Sequence, residues 1–400
     1  MIRTALAATA LVTLASPALA ETITVAPGED AQERLQEALI FAEPGDEIVL
    51  EAGRYMLTDG LSLDADGVTL RGAGMHASVL DFTGQQGAGE GLLVTSDGVT
   101  LRDFGMENPK GDGIKSKGAD DIVYYGVRVT WTNGPAASNG AYGIYPVEST
   151  GILIDRVEVT GASDAGIYVG QSSGITVRNS VASYNVAGIE IENSRGAIVE
   201  SNFATGNTGG ILVFDLPGLP VMGGGDVIVR NNLVVANDTP NFAPPGNIVA
   251  SVRRGTGVLV MANDTVLIEG NIFENNPTSH VMVIAYNQPF EDERYNPYAR
   301  SVVVRDNSFG RGGDDPQIDG AEALLAAFGG SLPPVLWDGI EGDEPALILG
   351  SEVDGWTLNL SQPGQGIDEA QPGPLALDPM DAEPMFGQVG APQALEARLP

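Results

Sequence analysis

Gly166-Ile167-Tyr168-Val169-Gly170, Gly188-Ile189-Glu190-Ile191-Glu192 and Gly210-Ile211-Leu212-Val213-Phe214 are three copies of one phrase, a glycine followed by alternating apolar residues. The phrase also starts at Gly113, Gly143 and Gly257, and His280 opens a last copy. Gly143, Gly166, Gly188 and Gly210 stand 23, 22 and 22 residues apart. A second phrase interleaves with the first, as at Gly174-Ile175-Thr176-Val177, Asp226-Val227-Ile228-Val229 and Ser301-Val302-Val303-Val304. Each is a short β-branched run bounded by Gly or Asn, which reads as a strand. Strands this short cannot bury an inner face alone. Stacked as successive coils they enclose one apolar column, so the expected fold is all-β, a right-handed parallel β-helix. Propeller blades need about twice this period, and the Leu/Asn frame of leucine-rich repeats is missing.

Two columns support the register. In the aligned copies Asn202, Asn232, Asn271 and Asn307 share one coil position, and Asn185, Asn207, Asn237 and Asn276 share another. Stacked amides can bond the copies above and below, and Asn tolerates left-handed geometry at bends.

The ends read as caps. Asp30 to Ala42 carries an N-cap Asp and apolar residues at helical spacing, a helix suited to plug the open end of the column. The expected organisation is a signal peptide over 1–20, an N-terminal strand and capping helix over 21–66, coils over 67–312, and a C-terminal cap with a loose acidic Pro/Gly-rich tail over 313–400. The first twenty residues combine Arg3, an apolar run through Leu14 and small residues at Ala18 and Ala20. That pattern predicts export to the periplasm or beyond, with cleavage after Ala20. No stretch is long and apolar enough to span a bilayer.

Composition narrows the function. With 20 Lys+Arg against 53 Asp+Glu the net charge is −33, which excludes an electrostatic nucleic-acid footprint. The absence of Cys removes disulfide scaffolds, zinc fingers and thiol nucleophiles, and 2 His make a multi-His metal centre improbable. Acidic side chains could collect Ca²⁺, but no dense Asp-x-Asp run supports a formed site, so no cofactor is expected. His280 and His76 read as structural. A monomer is expected.

Side chains alternate along a strand, so the outward column of the first sheet is Lys115, Tyr145, Tyr168 and Glu190, turning apolar at Leu212, Leu259 and Met282. Its neighbour runs from Lys117 through Val147, Gly170 and Glu192 to Phe214, Met261 and Ile284. Four insertions, around 133–142, 216–225, 239–254 and 287–300, flank this sheet and should wall a groove. The later ones are apolar enough to cover Leu212 and Leu259. The polar half offers tyrosine faces and charged groups suited to a sugar chain. Lys115, Tyr145, Tyr168 and Glu190 are therefore the catalytic candidates. Lys117, Glu192, Asp164, Asp215, Arg253 and Arg254 are the substrate-binding candidates. The competing reading of the same residues is a solvated sheet face with ladder pairs.

The stretches Asn139-Gly-Ala-Tyr-Gly-Ile-Tyr-Pro-Val, Ser163-Asp-Ala-Gly-Ile-Tyr-Val-Gly-Gln-Ser and Asn185-Val-Ala-Gly-Ile-Glu-Ile-Glu-Asn carry a resemblance. Asn207-Thr-Gly-Gly-Ile-Leu-Val-Phe-Asp-Leu-Pro-Gly-Leu-Pro and Asn241-Phe-Ala-Pro-Pro-Gly-Asn-Ile-Val continue it. Over roughly residues 22 to 310 the chain resembles the pectin-lyase-like superfamily, and within it the exported bacterial parallel β-helix repeat proteins. The superfamily implies polysaccharide lyases, hydrolases and epimerases. Of the polygalacturonase motif set only Asp120-Asp121 is echoed, and the catalytic motifs of β-helical alginate epimerases and pectate lyases are absent. The resemblance therefore implies a lyase- or epimerase-like groove without naming its catalytic residues. The alternative is a non-catalytic periplasmic accessory protein that docks a protein partner. It is distantly similar to the β-helix protein that assists copper-site assembly in nitrous oxide reductase.

Overall fold

The computed structural model describes residues 20–377 and 384–400. The predicted signal peptide lies, but for Ala20, outside the described residues. Three long sheets run the length of the chain, two of twelve strands and one of ten. Every pairing within them is parallel except the last, between Trp356 and Pro374. The first sheet holds the Gly-Ile phrases, with strands such as Tyr142–Val147, Ala165–Gly170 and Ala187–Glu192. The second holds the interleaved phrases, and the third consists of short strands such as Val181–Ser183 and Phe203–Thr205. The first residue after each phrase glycine points inward: Ile144, Ile167, Ile189, Ile211 and Val258 are fully buried in one core.

The bends between sheets obey one rule. A left-handed residue turns the chain, and the next residue faces inward and bonds the coil before it. Tyr184, Gly206, Ala236 and Asn275 adopt positive φ directly before Asn185, Asn207, Asn237 and Asn276. The ladder asparagines thus stand one residue beyond the left-handed position, not in it. Their amides chain as the aligned columns predict: Asn185 Nδ2 donates to Asn207 Oδ1 at 3.0 Å, Asn207 to Asn237 at 3.0 Å, and Asn237 to Asn276 at 3.1 Å. The second column runs from Asn202 through Asn232 and Asn271 to Asn307 at 3.1, 2.9 and 3.0 Å. Each Oδ1 also accepts the previous Asn's backbone N–H, so the buried amides are satisfied on both sides. A third ladder, of serines, was not visible in the sequence: Ser149 N–H donates to Ser172 Oγ at 3.1 Å, and Ser172 N–H to Ser194 Oγ at 3.0 Å. His280 closes the first asparagine column. Its Nδ1 lies 3.2 Å from Asn276 Nδ2 and its Nε2 lies 3.2 Å from the Gly310 carbonyl, so Nε2 carries the proton.

The boundaries differ from the sequence reading at both ends. Residues 47–63 already form a full coil, with Glu47–Leu50, Gly53–Met56 and Leu61–Leu63 each opening or joining a sheet. Past residue 312 the coil resumes: Val335–Trp337 pairs with the Ser279–Ile284 strand, and Gly355–Thr357 pairs with Val335–Trp337. The intervening residues include a short helix, Ala321–Ala327. The capping helix, Ala31–Phe41, buries Ala31, Leu35, Ala38 and Leu39 against the first coil. Asp30 makes no side-chain cap bond; it pairs instead with Arg34 at 3.0 Å.

The closing stretch, expected as a loose tail, lies across the second sheet over residues 387–400. Gly387 N–H bonds Asp226, Ala391 N–H bonds Thr176, and the Arg178 guanidinium grips both Glu396 carboxylate oxygens at 2.8 Å. Leu395 packs on Val123 and Leu153, outward residues that would otherwise be bare. The insertions explain themselves similarly. Tyr295 donates to the Asp215 carbonyl at 2.7 Å, tying two of them together, and Ile248 and Val252 lie against the apolar column that includes Leu212 and Leu259. The expected covering of the later coils is present.

Candidate functional site

The first sheet's outward column has the expected register: Lys115 pairs with Tyr145, Tyr168 with Glu190, Glu190 with Leu212, and Leu212 with Leu259. A second outward column, missed in the sequence, consists of the residue before each phrase glycine. It reads Glu90, Asp112, Tyr142, Ala165 and Ala187, the last three in one rank of Cα partners. The signal was legible, because Glu90-Gly91-Leu92 aligns with Asp112-Gly113-Ile114 through the Leu92–Ile114 pairing. Two small rungs, Ala165 and Ala187, leave the Tyr142 ring room to lean over. It meets Tyr145 at 4.4 Å and Tyr168 at 4.6 Å between ring centroids, while Tyr145 meets Tyr168 edge-on at 4.9 Å. Gly170 is required here because a Cβ would lie 2.2 Å from the Tyr168 hydroxyl.

Behind the rings lies a trio of carboxylates. Tyr168 donates to Glu192 at 3.0 Å, and Tyr142 to Asp164 at 3.4 Å. Asn247, at the tip of the 239–254 insertion, donates to the same Asp164 oxygen at 3.2 Å. One oxygen each of Asp164 and Glu190 is buried without a partner. Burial first, then the neighbouring Asp164 and Glu192 charges, push the Glu190 carboxyl well above the usual range. The interaction between the two carboxyls raises Glu190 further and lowers Glu192, which casts Glu190 as the donor of the pair. Burial also lifts Asp164 and Glu192 to about 7 each. Three acids packed together cannot all ionise in a low dielectric, so the group titrates as a unit.

This burial corrects the expected open face. Tyr168 is 4% exposed and Glu190 1%, with Asp164 and Glu192 also buried, so none can touch a chain lying on the surface. What stays accessible is the front edge: Glu90, Asp112, Lys115, Tyr142 and Tyr145, all half-buried. Lys115 Nζ sits 3.4 Å from Glu90 and 3.9 Å from Asp112, and 4.8 Å over the Tyr145 ring. Burial raises Asp112 to about 6, partly offset by Lys115. Burial also pushes the Tyr145 hydroxyl up to about 12, which keeps it protonated at neutral pH and unsuited as a base.

The other candidates part company. Lys117 is exposed and pairs with Glu148 at 3.5 Å. Asp215 is buried and accepts the Gly223 and Gly224 N–H groups at 2.8 Å, so it holds the root of an insertion. Arg254 is pinned between Asp238 and Asp315. Arg253 points elsewhere, to the rim of an apolar cleft on the later coils. Among the described residues no group of three or more His, Cys, Asp or Glu side chains is arranged to hold a metal ion. No helix among them is long and apolar enough to cross a membrane.

Residues 66–217 and 136–291 match the family described as right handed beta helix region. No curated protein matches the chain by sequence. Among solved structures it is similar to the A-module of a mannuronan C-5 epimerase from Azotobacter vinelandii, at 16% identity and a TM-score of 0.50, over 86% of this chain and 100% of that one. It is also similar to a variant DFA-IIIase from Arthrobacter chlorophenolicus bound to DFA-III (14%, TM-score 0.52, 82% and 94%). The N-terminal fragment of bacteriophage phi29 gene product 12 is a third (13%, TM-score 0.54, 80% and 59%). At these identities the likeness is one of fold.

Proposed function

The chain belongs to the right-handed β-helix family, and from that premise we propose that it is an exported protein that binds a neutral saccharide on the Glu90–Asp112–Lys115–Tyr142–Tyr145 face. The observation that carries this reading is the half-open edge itself. Two half-buried tyrosines at that edge offer aromatic surface, and Glu90 and Asp112 beside them offer hydroxyl acceptors. Lys115 and Lys117 already have carboxylate partners, and the whole chain carries −33. A polyanionic glycan would meet net repulsion there, which is why a neutral one is favoured. Two of the folds it shares belong to a mannuronan epimerase module and a DFA-III-bound enzyme, so saccharide chemistry suits this architecture in kind.

If the site turns a substrate over, the group to move the proton is Asp112. It is half-buried at the open edge, with burial lifting its carboxyl to about 6, whereas Tyr145 stays protonated and Tyr168 is buried. On a glycan array the mature chain should bind neutral oligosaccharides, and Tyr145→Ala should weaken the hit about tenfold. Asp112→Asn should abolish any turnover while leaving the fold intact. Binding unchanged in Tyr145→Ala, or confined to uronates, would overturn the reading.

One observation favours the accessory-protein alternative. On the third sheet Val181, Phe203, Leu233 and Ile272 stack in one outward column, and Phe203, Leu233 and Ile272 are exposed. Glycan binding that survives Leu233→Ser together with Ile272→Ser separates that stripe from the saccharide face.

A further inference from the structure

The later coils hold a cleft that the saccharide reading leaves unused. Beyond Glu190 the first sheet's outward column turns apolar and stays so, from Leu212 through Leu259 and Met282 to Leu336 and Trp356. The insertion over 239–254 folds across the start of this stripe with Ile248 and Val252. Further along, the stripe is left open as two adjoining chambers of 280 Å³ and 250 Å³. Both are lined by Met282, Ile284, Ala285, Asn287 and Arg253, so they form one elongated cavity with a shared middle. Phe214, Leu259 and Met261 line one chamber, and Leu336, Leu358 and Ile367 the other.

The chemistry of that lining is unlike the tyrosine–carboxylate edge. Its walls are mainly aliphatic and methionine side chains, which pack a flexible apolar chain and adapt to its shape, with Ser251, Thr256, Asn287, Gln288 and Gln365 as the neutral polar groups among them. A sugar would leave its hydroxyls unpaired against them. Two acids line the cavity: Asp319 is exposed to solvent, and Asp338 is buried with its carboxyl group occupied by the N–H groups of Ala285 and Ile340 at 2.7 and 2.9 Å.

Arg253 is the second observation. Its neighbour Arg254 is held by Asp238 and Asp315, but the Arg253 guanidinium has neither an ion pair nor a side-chain hydrogen bond among the described residues. A guanidinium without an acidic partner among the described residues is out of keeping in a chain of net charge −33. It stands at the rim of both chambers, where it can form a bidentate pair with an incoming carboxylate.

We infer that this cavity is a binding site for a single fatty-acid chain, its carboxylate paired with Arg253 and its tail laid over Met261, Met282 and Ile284. The site shares no residue with the saccharide face, so either can fail without the other. Isothermal titration of the mature chain with sodium dodecanoate, below its micellar concentration, should give one site. Dodecyltrimethylammonium, the same tail with the opposite charge, should bind at least about tenfold more weakly. Arg253→Gln should lose about tenfold for dodecanoate, and Ile284→Trp, which fills the middle of the cavity, should abolish binding while the circular dichroism spectrum stays unchanged. An absence of one-site binding would overturn the inference. So would equal affinity for the cationic amphiphile, or full affinity in either variant with its fold intact.

Discussion

Asn232→Ala is expected to destabilise the chain by about 4 kcal/mol, because one side chain serves four buried groups. Asn232 Oδ1 accepts from the backbone N–H of Asn202 at 2.9 Å and from its amide at 3.1 Å. Its Nδ2 donates to the Val199 carbonyl at 2.9 Å and to Asn271 Oδ1 at 2.9 Å. Asn202 and Asn271 are themselves buried, so no water replaces the lost partner. Each orphaned buried group costs roughly 1–3 kcal/mol, although Asn271 Oδ1 keeps its bond from the Asn232 backbone. Asn307→Ala also strips a partner from the Asn271 N–H and amide and from the Ile268 and Arg305 carbonyls, but at the half-buried end of the column water can replace part of what is lost, so it should cost less, about 2 kcal/mol. Asn232→Asp is the sharper control. It keeps the acceptor but replaces the donor with a carboxylate oxygen facing the Val199 carbonyl, and should be at least as damaging as alanine. Urea unfolding of the three variants checks the series. Equal effects at Asn232 and Asn307 would contradict it.

The second large effect is one of pH. Glu190, Asp164 and Glu192 sit together behind the tyrosines with their carboxyls raised by burial, the latter two to about 7. Burial raises Asp338, on the far coils, to about 7 as well. Each folded value lies above the unfolded one near 4, so over that interval the folded chain holds more protons and stability falls as pH rises. The contribution is complete below about pH 4 and is lost as pH rises through about 7. Groups of the opposite kind, such as Glu47 held low by Arg71, lose their contribution only as pH falls through their own depressed values. The melting temperature should therefore be higher near pH 5 than near pH 8, with several kcal/mol between them as an order of magnitude. Glu190→Gln keeps the shape and the donor toward Glu192 but cannot ionise. It should raise stability at about pH 8 by ~2 kcal/mol and flatten the profile. A thermal melt series whose slope is the same in Glu190→Gln would contradict the shared-proton arrangement.

The parts that were legible in the sequence are those that repeat. Ile144, Ile167, Ile189 and Ile211 had to face one core because the 22-residue period places them in one column. The asparagine ladders follow from the same alignment. Glu90, Asp112 and Tyr142 repeat too, one residue before each phrase glycine, but they are different residue types and so escape a search for similar ones. The last coil was legible only in part: the short helix near 321–328 and a return to strand over 345–360 can be read, but Val335–Trp337 is only three residues long and follows the departure from the solenoid over 310–334. The burial of Tyr168 and Glu190 could not be read locally at all. It arises where distant segments meet, as where Asn247 of an insertion reaches back 83 residues to Asp164 beside them. Burial then decides the chemistry, since the same carboxyls left in water would be ordinary ionised groups.

A crystal structure of the mature chain with its best-binding neutral oligosaccharide tests the saccharide face most directly. The expected result is a sugar ring about 4 Å from the Tyr145 ring face, with hydroxyls bonded to Asp112 or Glu90. A sugar lodged on the third-sheet stripe or in the Arg253 cavity, or one that leaves Tyr145 bare, would contradict it.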